Sequence, residues 1–548
     1  MKQYKVKNVI VDLSKYTGKD KYSDGDIENV ILNALKNGNA DELLHNDNRW
    51  PIVYHLTPNR QNLLDAITFK PNADTLEIGC GCGAITGVLC QKSKSVTAVE
   101  ISPRRAEIAA YRNQDYNNLK ICVGNLNDMD FNKKFDYVTL IGVLEYAGAF
   151  TEGDDPWQCF LEVCTKFLKP DGVLIIAIEN RLGLKYWCGA REDHNGKYFD
   201  GILGYKEEKC IRTFSHKELS NLLKSVGLNS LHWFYPHPDY KIPTDLFSDN
   251  HVPTKSQLLE CINAPYDCNR IRLFDEEDAF ESIIDAGLYH EFANSFLVLC
   301  SRKEINKEDQ PIYVHHGVTR KKENKLITGI YEIKGKKVVR KIAMTESAQK
   351  HLKTIVENCQ ILSDIYGQEH VAQSRLINDV TLEMEYIEGY NFADLAIQAL
   401  NEGGVEGLAG YIQFYCKNIL HGTADTDIIP DFDYTSPNRK YNFDLSFSNI
   451  IIADNNYVII DYEWLISNCP AKFAVYRAIS LLYHNNYPDM KKHNIDLDLL
   501  HKSLNISKDD EDMYLRWNGK FYYLVLDEHL RRYQKKHMDV DLSKLNIY

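Results

Sequence analysis

A chain of 548 residues with a net charge of −13 is too long for one ordinary core and predicts two or three domains. Its 44% hydrophobic and 26% charged residues are those of a globular protein. The acidic balance lacks the clustered lysine and arginine of a protein whose main partner is nucleic acid, so nucleic-acid chemistry is disfavoured.

Residues 1–48 are polar, with a turn-rich Tyr22–Asp26 segment and a helical pattern from Ile27 to Leu35, and read as an N-terminal cap. No run behind Met1 has signal-peptide character and no stretch is long enough to span a bilayer, which predicts a cytoplasmic protein, peripheral attachment at the inner membrane face being compatible. The 14 cysteines form no paired C-x-x-C set at zinc spacing and read as reduced, mostly buried thiols. Trp50–Leu56 leads into Arg60 and a helix through Leu63, Leu64 and Ile67.

The stretch Thr75-Leu76-Glu77-Ile78-Gly79-Cys80-Gly81-Cys82-Gly83 is an apolar strand running into a glycine turn and a helical pattern through Leu89. Alternating glycines let backbone approach a ligand closely. The spacing fits neither G-x-G-x-x-G nor the phosphate loop. A second strand, Val96–Val99, ends in Glu100, about 20 residues past the first glycine, the distance at which an acid at the neighbouring strand tip accepts ribose hydroxyls. Further strands are predicted at Leu119–Val123, ahead of Gly124-Asn125-Leu126, and at Phe135–Ile141. A turn at Lys169–Gly172 leads into the next strand.

These motifs resemble class I S-adenosylmethionine-dependent methyltransferases. The resemblance implies a Rossmann-like, seven-stranded α/β domain over 49–303. Glu77, Gly79, Gly81 and Gly83 would cradle the methionine and ribose, Glu100 with Ile101 would grip the ribose, and Asn125 and Leu126 would meet adenine. Arg60 would pair with the methionine carboxylate. Strands near Leu231–Phe234 and Phe296–Cys300 would close the sheet as an antiparallel edge hairpin. The polar and aromatic segments Glu179–Tyr186, Arg191–His194 and Arg212–Ser215 fall at the carboxyl end of the sheet, where open α/β folds bind ligands. For a hydroxyl acceptor, Glu145, Glu179 and His194 are candidate bases, whereas a phosphate acceptor needs none. This set also resembles methyltransferase modules of bacterial polysaccharide assembly.

The charged run through 304–311 reads as a linker to a second domain over 312–548. There Asn442-Phe443-Asp444-Leu445-Ser446-Phe447-Ser448-Asn449 and Ile460-Asp461-Tyr462-Glu463 resemble the D-L-x-x-x-N and I-D-x-E loops of aminoglycoside-phosphotransferase-like kinases, an α+β fold. The resemblance implies ATP and Mg2+: Asp444 acting on the acceptor hydroxyl, Asn449 and Asp461 holding the metal, Lys341 the phosphates, and Glu357 pairing with Lys341. No G-x-G-x-x-G precedes Lys341, and Asn442 replaces the usual histidine. The order of domains is similar to that of bifunctional kinase–methyltransferases of surface-polysaccharide chains. That implies a glycan or sugar-phosphate acceptor, polysaccharide-assembly partners, and phosphorylation preceding methylation. No heptad pattern follows, so a coiled-coil ruler is not implied. The alternatives are a methyltransferase with a non-catalytic kinase-like half, and a methyltransferase of a protein, RNA or small molecule.

Overall fold

A computed structural model of the chain describes residues 2–18, 23–206, 210–254, 257–258, 273–307, 310–424, 429–454 and 456–527. The described residues fall into two compact units, one running to His316 and the other from Gly317. The division falls past the 304–311 stretch expected as linker, because Pro311–His316 is a strand paired within the first unit. Glu308 and Asp309 of that stretch, and the last residues of the expected second domain from 528 on, lie outside the described residues.

The first unit is a mixed sheet with helices on its faces. Its strands are β1 (Gln3–Val6), β2 (Val9–Asp12), β3 (Asp74–Ile78), β4 (Ser95–Glu100), β5 (Leu119–Val123), β6 (Phe135–Ile141), β7 (Leu168–Glu179), β8 (Ser230–His237), β9 (Asp245–Ser248), β10 (Ser295–Ser301) and β11 (Pro311–His316). Their order is β1-β2-β5-β4-β3-β6-β7-β10-β8-β9-β11. The run β2-β5-β4-β3-β6-β7 is parallel. β10 enters antiparallel to both β7 and β8. Strands sandwiched between helices bury both faces, which is why β6 is apolar at five of its seven positions and buried at all seven, Asp136 and Thr139 included. The Lys169–Gly172 segment expected as a turn lies inside β7, where register with β6 shifts.

Residues 1–48 are not separate from this sheet. β1 and β2 form a hairpin, and β2 adds to β5 through the pairs Ile10–Lys120, Val11–Ile121 and Asp12–Cys122. Helix α1 (Ile27–Asn37) then packs against α2 (Pro103–Arg112), which follows β4. Ser102 caps α2 and Pro103 occupies its first turn, preset for a helical start.

The second unit opens with β12 (Leu326–Ile333) and β13 (Lys336–Ala343), joined by Lys334-Gly335, both at positive φ as a tight two-residue hairpin turn requires. The helix Gln349–Tyr366 follows, then β14 (Ser374–Asn378) and β15 (Thr381–Glu385), in the order β12-β13-β15-β14. Helices and short hairpins fill the remainder, including β16 (Ile450–Ala453) with β17 (Asn456–Ile459). Among the described residues no helix is long and apolar enough to cross a membrane.

Candidate active site

The carboxyl ends of β3 to β7 surround a cavity of about 400 Å3, where ligands of open α/β sheets bind. Its floor is the glycine loop. Gly79, Gly81 and Gly83 have φ of 71°, 53° and 77°, a region open to glycine with little cost. A Cβ on Gly79 would meet Val143 at 2.6 Å, and one on Gly83 would meet Ala109 Cα at 2.8 Å; one on Gly81 would meet nothing within 4 Å. Gly79 and Gly83 therefore serve packing as well as turn geometry, whereas Gly81 serves the turn alone.

Glu100 sits at the tip of β4, fully buried. Its Oε2 accepts from the Gly81 N–H at 2.8 Å and its Oε1 from the Ser102 N–H at 2.9 Å, so the carboxylate braces the loop while each oxygen keeps acceptor capacity. Burial raises its carboxyl above the ordinary range. Glu77 accepts from the Thr86 hydroxyl at 2.7 Å, and burial pushes it up to about 7. Ile101, Asn125 and Leu126 line the same cavity. Asn125 Oδ1 accepts from the Asn127 N–H at 3.0 Å, capping the short turn that follows β5. Cys80 and Cys82 are buried thiols, and burial pushes Cys82 up to about 12.

Arg60 is 5% exposed and faces this cavity from the short segment after Leu56. Its guanidinium lies 4.0 Å over the Tyr54 ring, and its Nε and Nη1 atoms have no hydrogen-bond partner. A buried guanidinium with two unpaired nitrogens beside a glycine loop has the chemistry to receive an anion.

The opposite end of the cavity is acidic. Glu145 and Glu179 are buried, and His194 joins them. His194 Nδ1 contacts Glu192 Oε1 at 2.9 Å, and its Nε2 lies 3.6 Å from Glu145 Oε1. Against burial, the glutamates around it hold the imidazole well above its usual range. Burial, then the charge of Glu179, raises the Glu145 carboxyl against the pull of His194. Lys241 bonds both Glu179 and Asp193, and Lys185 pairs with Asp239 at 2.6 Å and Asp193 at 3.1 Å. Sequence reasoning brought the segments of Lys185, Glu192 and Asp193 to this end of the sheet but gave neither them nor Asp239 and Lys241 a role, because the stretches after β7 and β8 carry no motif. Asp24, which also lines the cavity, pairs with His55 at 2.8 Å and Arg105 at 2.6 Å.

In the second unit Lys341 Nζ is 2.8 Å from Asp461 Oδ1 and also pairs with Glu463. Arg320 pairs with Glu463 as well, and His351 reaches it at 3.2 Å. Against burial, Arg320 and Lys341 hold the Glu463 carboxyl well below its usual range. The expected Lys341–Glu357 pair does not form. Glu357 bonds Arg439 at 2.7 Å with a 64% exposed side chain, because the inward face of its helix is taken by His351, Leu352, Ile355 and Asn358. Asp444 is half-buried: Asn442 Oδ1 accepts its N–H at 3.1 Å, and its Oδ2 accepts the Trp464 N–H at 3.3 Å. Burial, then the charges of Asp461 and Glu463, pushes Asp444 up to about 8. Asn449 Nδ2 donates to the Asp444 carbonyl at 2.9 Å, and Asn442 Nδ2 to the Asp461 carbonyl at 2.8 Å, which ties the two acidic loops together.

Residues 76–176 match the family described as a methyltransferase domain. With the strand order above, this makes the first unit's core a class I methyltransferase domain. Curated relatives include the ubiquinone biosynthesis O-methyltransferase of Rickettsia akari, 27% identical over 161 residues, which are 27% of this chain and 61% of that protein. The protein of the same name from Xanthomonas campestris pv. campestris is 26% identical over 132 residues, 24% of this chain and 52% of that one. The chain thus spans between half and two thirds of these relatives' length. Among solved structures, the N-methyltransferase NodS of Bradyrhizobium japonicum with S-adenosyl-L-homocysteine is 21% identical, covering 27% of this chain and 76% of that chain with a TM-score of 0.21.

Proposed function

We propose that the first unit transfers a methyl group from S-adenosylmethionine to a hydroxyl-bearing acceptor. The observation that carries this reading is the unpartnered Arg60 guanidinium in the same cavity as the glycine loop and Glu100. S-adenosylmethionine presents a carboxylate for Arg60, ribose hydroxyls for Glu100 and a flat adenine for the wall at Ile101, Asn125 and Leu126. It supplies an electrophilic methyl on a sulfonium, so the protein's contribution is to hold the acceptor oxygen close and in line with that methyl. The acceptor end is lined by buried carboxylates, which repel a phosphate and accept hydrogen bonds from hydroxyls. A hydroxyl of a glycan fits better than a sugar-phosphate, and the O-methyltransferase names of the curated relatives agree with oxygen as the acceptor atom.

A second activity is favoured by one separate observation, the Lys341–Asp461 pair beside Asp444 and Asn449. We infer that the second unit binds ATP with Mg2+ and acts as a phosphotransferase, with Lys341 on the phosphates, Asn449 and Asp461 on the metal and Asp444 on the acceptor hydroxyl. If methylation takes a hydroxyl directly, it does not wait for phosphorylation, and polysaccharide-assembly partners would receive a glycan modified at two oxygens.

The test is labelled methyl transfer to neutral glycans and to their phosphorylated forms, with and without ATP, alongside calorimetry of each nucleotide. Methylation of the neutral glycan without ATP is expected. Replacing Glu100 with Ala removes charged acceptors worth about 1.5–3 kcal/mol each, so S-adenosylmethionine affinity should fall at least about tenfold. Unchanged affinity in Glu100→Ala sinks the methyl-donor assignment, and methylation of the phosphorylated glycan alone sinks the hydroxyl acceptor.

A further inference from the structure

Two of the cavity's glutamates are incompletely satisfied. Glu145 is 1% exposed and Glu179 0%, and the Oε2 atom of each is buried without a hydrogen-bond partner. Leaving a carboxylate oxygen buried and unpaired is costly, and such groups are normally met by a cation or a donor. The neighbouring ammonium groups are committed elsewhere: Lys185 pairs with Asp193 and Asp239, and Lys241 with Asp193 and the other oxygen of Glu179. Arg60 reaches neither glutamate.

His194 completes the cluster. Glu192 Oε1 meets its Nδ1 at 2.9 Å, while Glu192 Oε2 accepts the backbone N–H of His194 at 2.7 Å and of Asn195 at 2.8 Å. That clamp fixes the ring with Nε2 turned toward Glu145, the carboxylate–histidine support found behind metal-bound imidazoles. One ligand atom each from Glu145, Glu179 and His194 lies within 4.8 Å of the other two.

We propose that Glu145, Glu179 and His194 bind a divalent cation of the Mg2+ or Mn2+ class, which coordinates the acceptor hydroxyl. Two carboxylates and one imidazole suit such ions and leave positions open for water and an acceptor oxygen. The cation site stands on this geometry, and only its role rests on the methyl-transfer reading. In that role, coordination makes the hydroxyl more acidic and its proton leaves to water. The oxygen then bonds to the methyl carbon as the carbon–sulfur bond breaks, and the electron pair stays on sulfur.

The experiment uses the full chain stripped with a chelator, titrated with Mn2+ by calorimetry and electron paramagnetic resonance in the absence of any methyl donor. Saturable binding is expected, weakened at least tenfold in Glu145→Gln and Glu179→Gln. Glu192→Gln, which touches no cation but loosens His194, is expected to cost about 10- to 100-fold in Mn2+ affinity. S-adenosylmethionine binding by each variant reports that it is folded. If a ligand variant loses both, the comparison of Glu192→Gln with wild type decides. No saturable Mn2+ binding by wild type, or equal affinity in wild type and the folded variants, overturns the site. Mn2+ binding with no S-adenosylmethionine binding keeps the cation site and overturns the methyl-transfer reading instead.

Discussion

Replacing Arg60 with Met should separate two quantities that usually fall together. The guanidinium is buried with Nε and Nη1 unpaired by protein groups, a burden of about 1–3 kcal/mol, partly offset by its stacking on Tyr54, worth about 0.5–2 kcal/mol. Methionine keeps an adaptable apolar body without the charge. The variant should therefore unfold in urea no more easily than wild type. Binding should move the other way. A carboxylate on Arg60 makes two charge-assisted bonds of about 1.5–3 kcal/mol each, and even half of their joint worth is about 1.5–3 kcal/mol, roughly ten- to a hundredfold in Kd. Calorimetry with S-adenosylmethionine, S-adenosylhomocysteine and methylthioadenosine isolates the cause, because only the third lacks a carboxylate. The expected result is a large loss for the first two and little change for the third. An equal loss for all three, or no loss for any, refutes the assignment of Arg60.

The glycine loop yields a graded prediction. Gly81→Ala should cost about 1–2 kcal/mol from its left-handed backbone alone, whereas Gly83→Ala adds overlap with Ala109 and Asn113 worth about 1–3 kcal/mol more; urea midpoints compare the two. Asp444 titrates near 8 in the folded chain, above the ordinary carboxyl value, so between about pH 4 and 8 the folded chain holds a proton that the unfolded chain releases, and stability falls as pH rises through that window. Asp444→Asn removes this slope, so the variant's stability relative to wild type should climb from pH 5 to pH 8; a constant difference contradicts it. Glu357→Gln should leave ATP affinity unchanged and cost about 1 kcal/mol, its own side chain being largely exposed and the buried Arg439 keeping its bond to Asn358, while Lys341→Met should abolish ATP binding measured by calorimetry.

The parallel strands were legible because burial on both faces writes an apolar run, and Glu100 was legible because it ends one of them. Glu145, Glu179 and His194 were visible as candidate bases, but their meeting was not: it depends on Glu192 fixing the imidazole and on Lys241 taking one oxygen of Glu179, and those segments carry no periodicity. The β1–β2 hairpin was hidden because two four-residue strands with polar flanks resemble loop. Glu357 misled because spacing along a helix says nothing of which face looks inward. The partner of Lys341 lay in the I-D-x-E motif itself, two residues past Asp461, where side chains alternate across an extended chain.

The hairpin at the amino end has a practical consequence for anyone cutting the protein into pieces. A fragment trimmed to the matched span of residues 76–176 would strip β2 from β5, leaving a row of unpaired amides and carbonyls along an open sheet margin, a template for self-association. The same cut would discard Asp24 and Arg60 from the cavity wall. Such a fragment should precipitate and fail to bind nucleoside, and its inactivity would report the trimming rather than the chemistry.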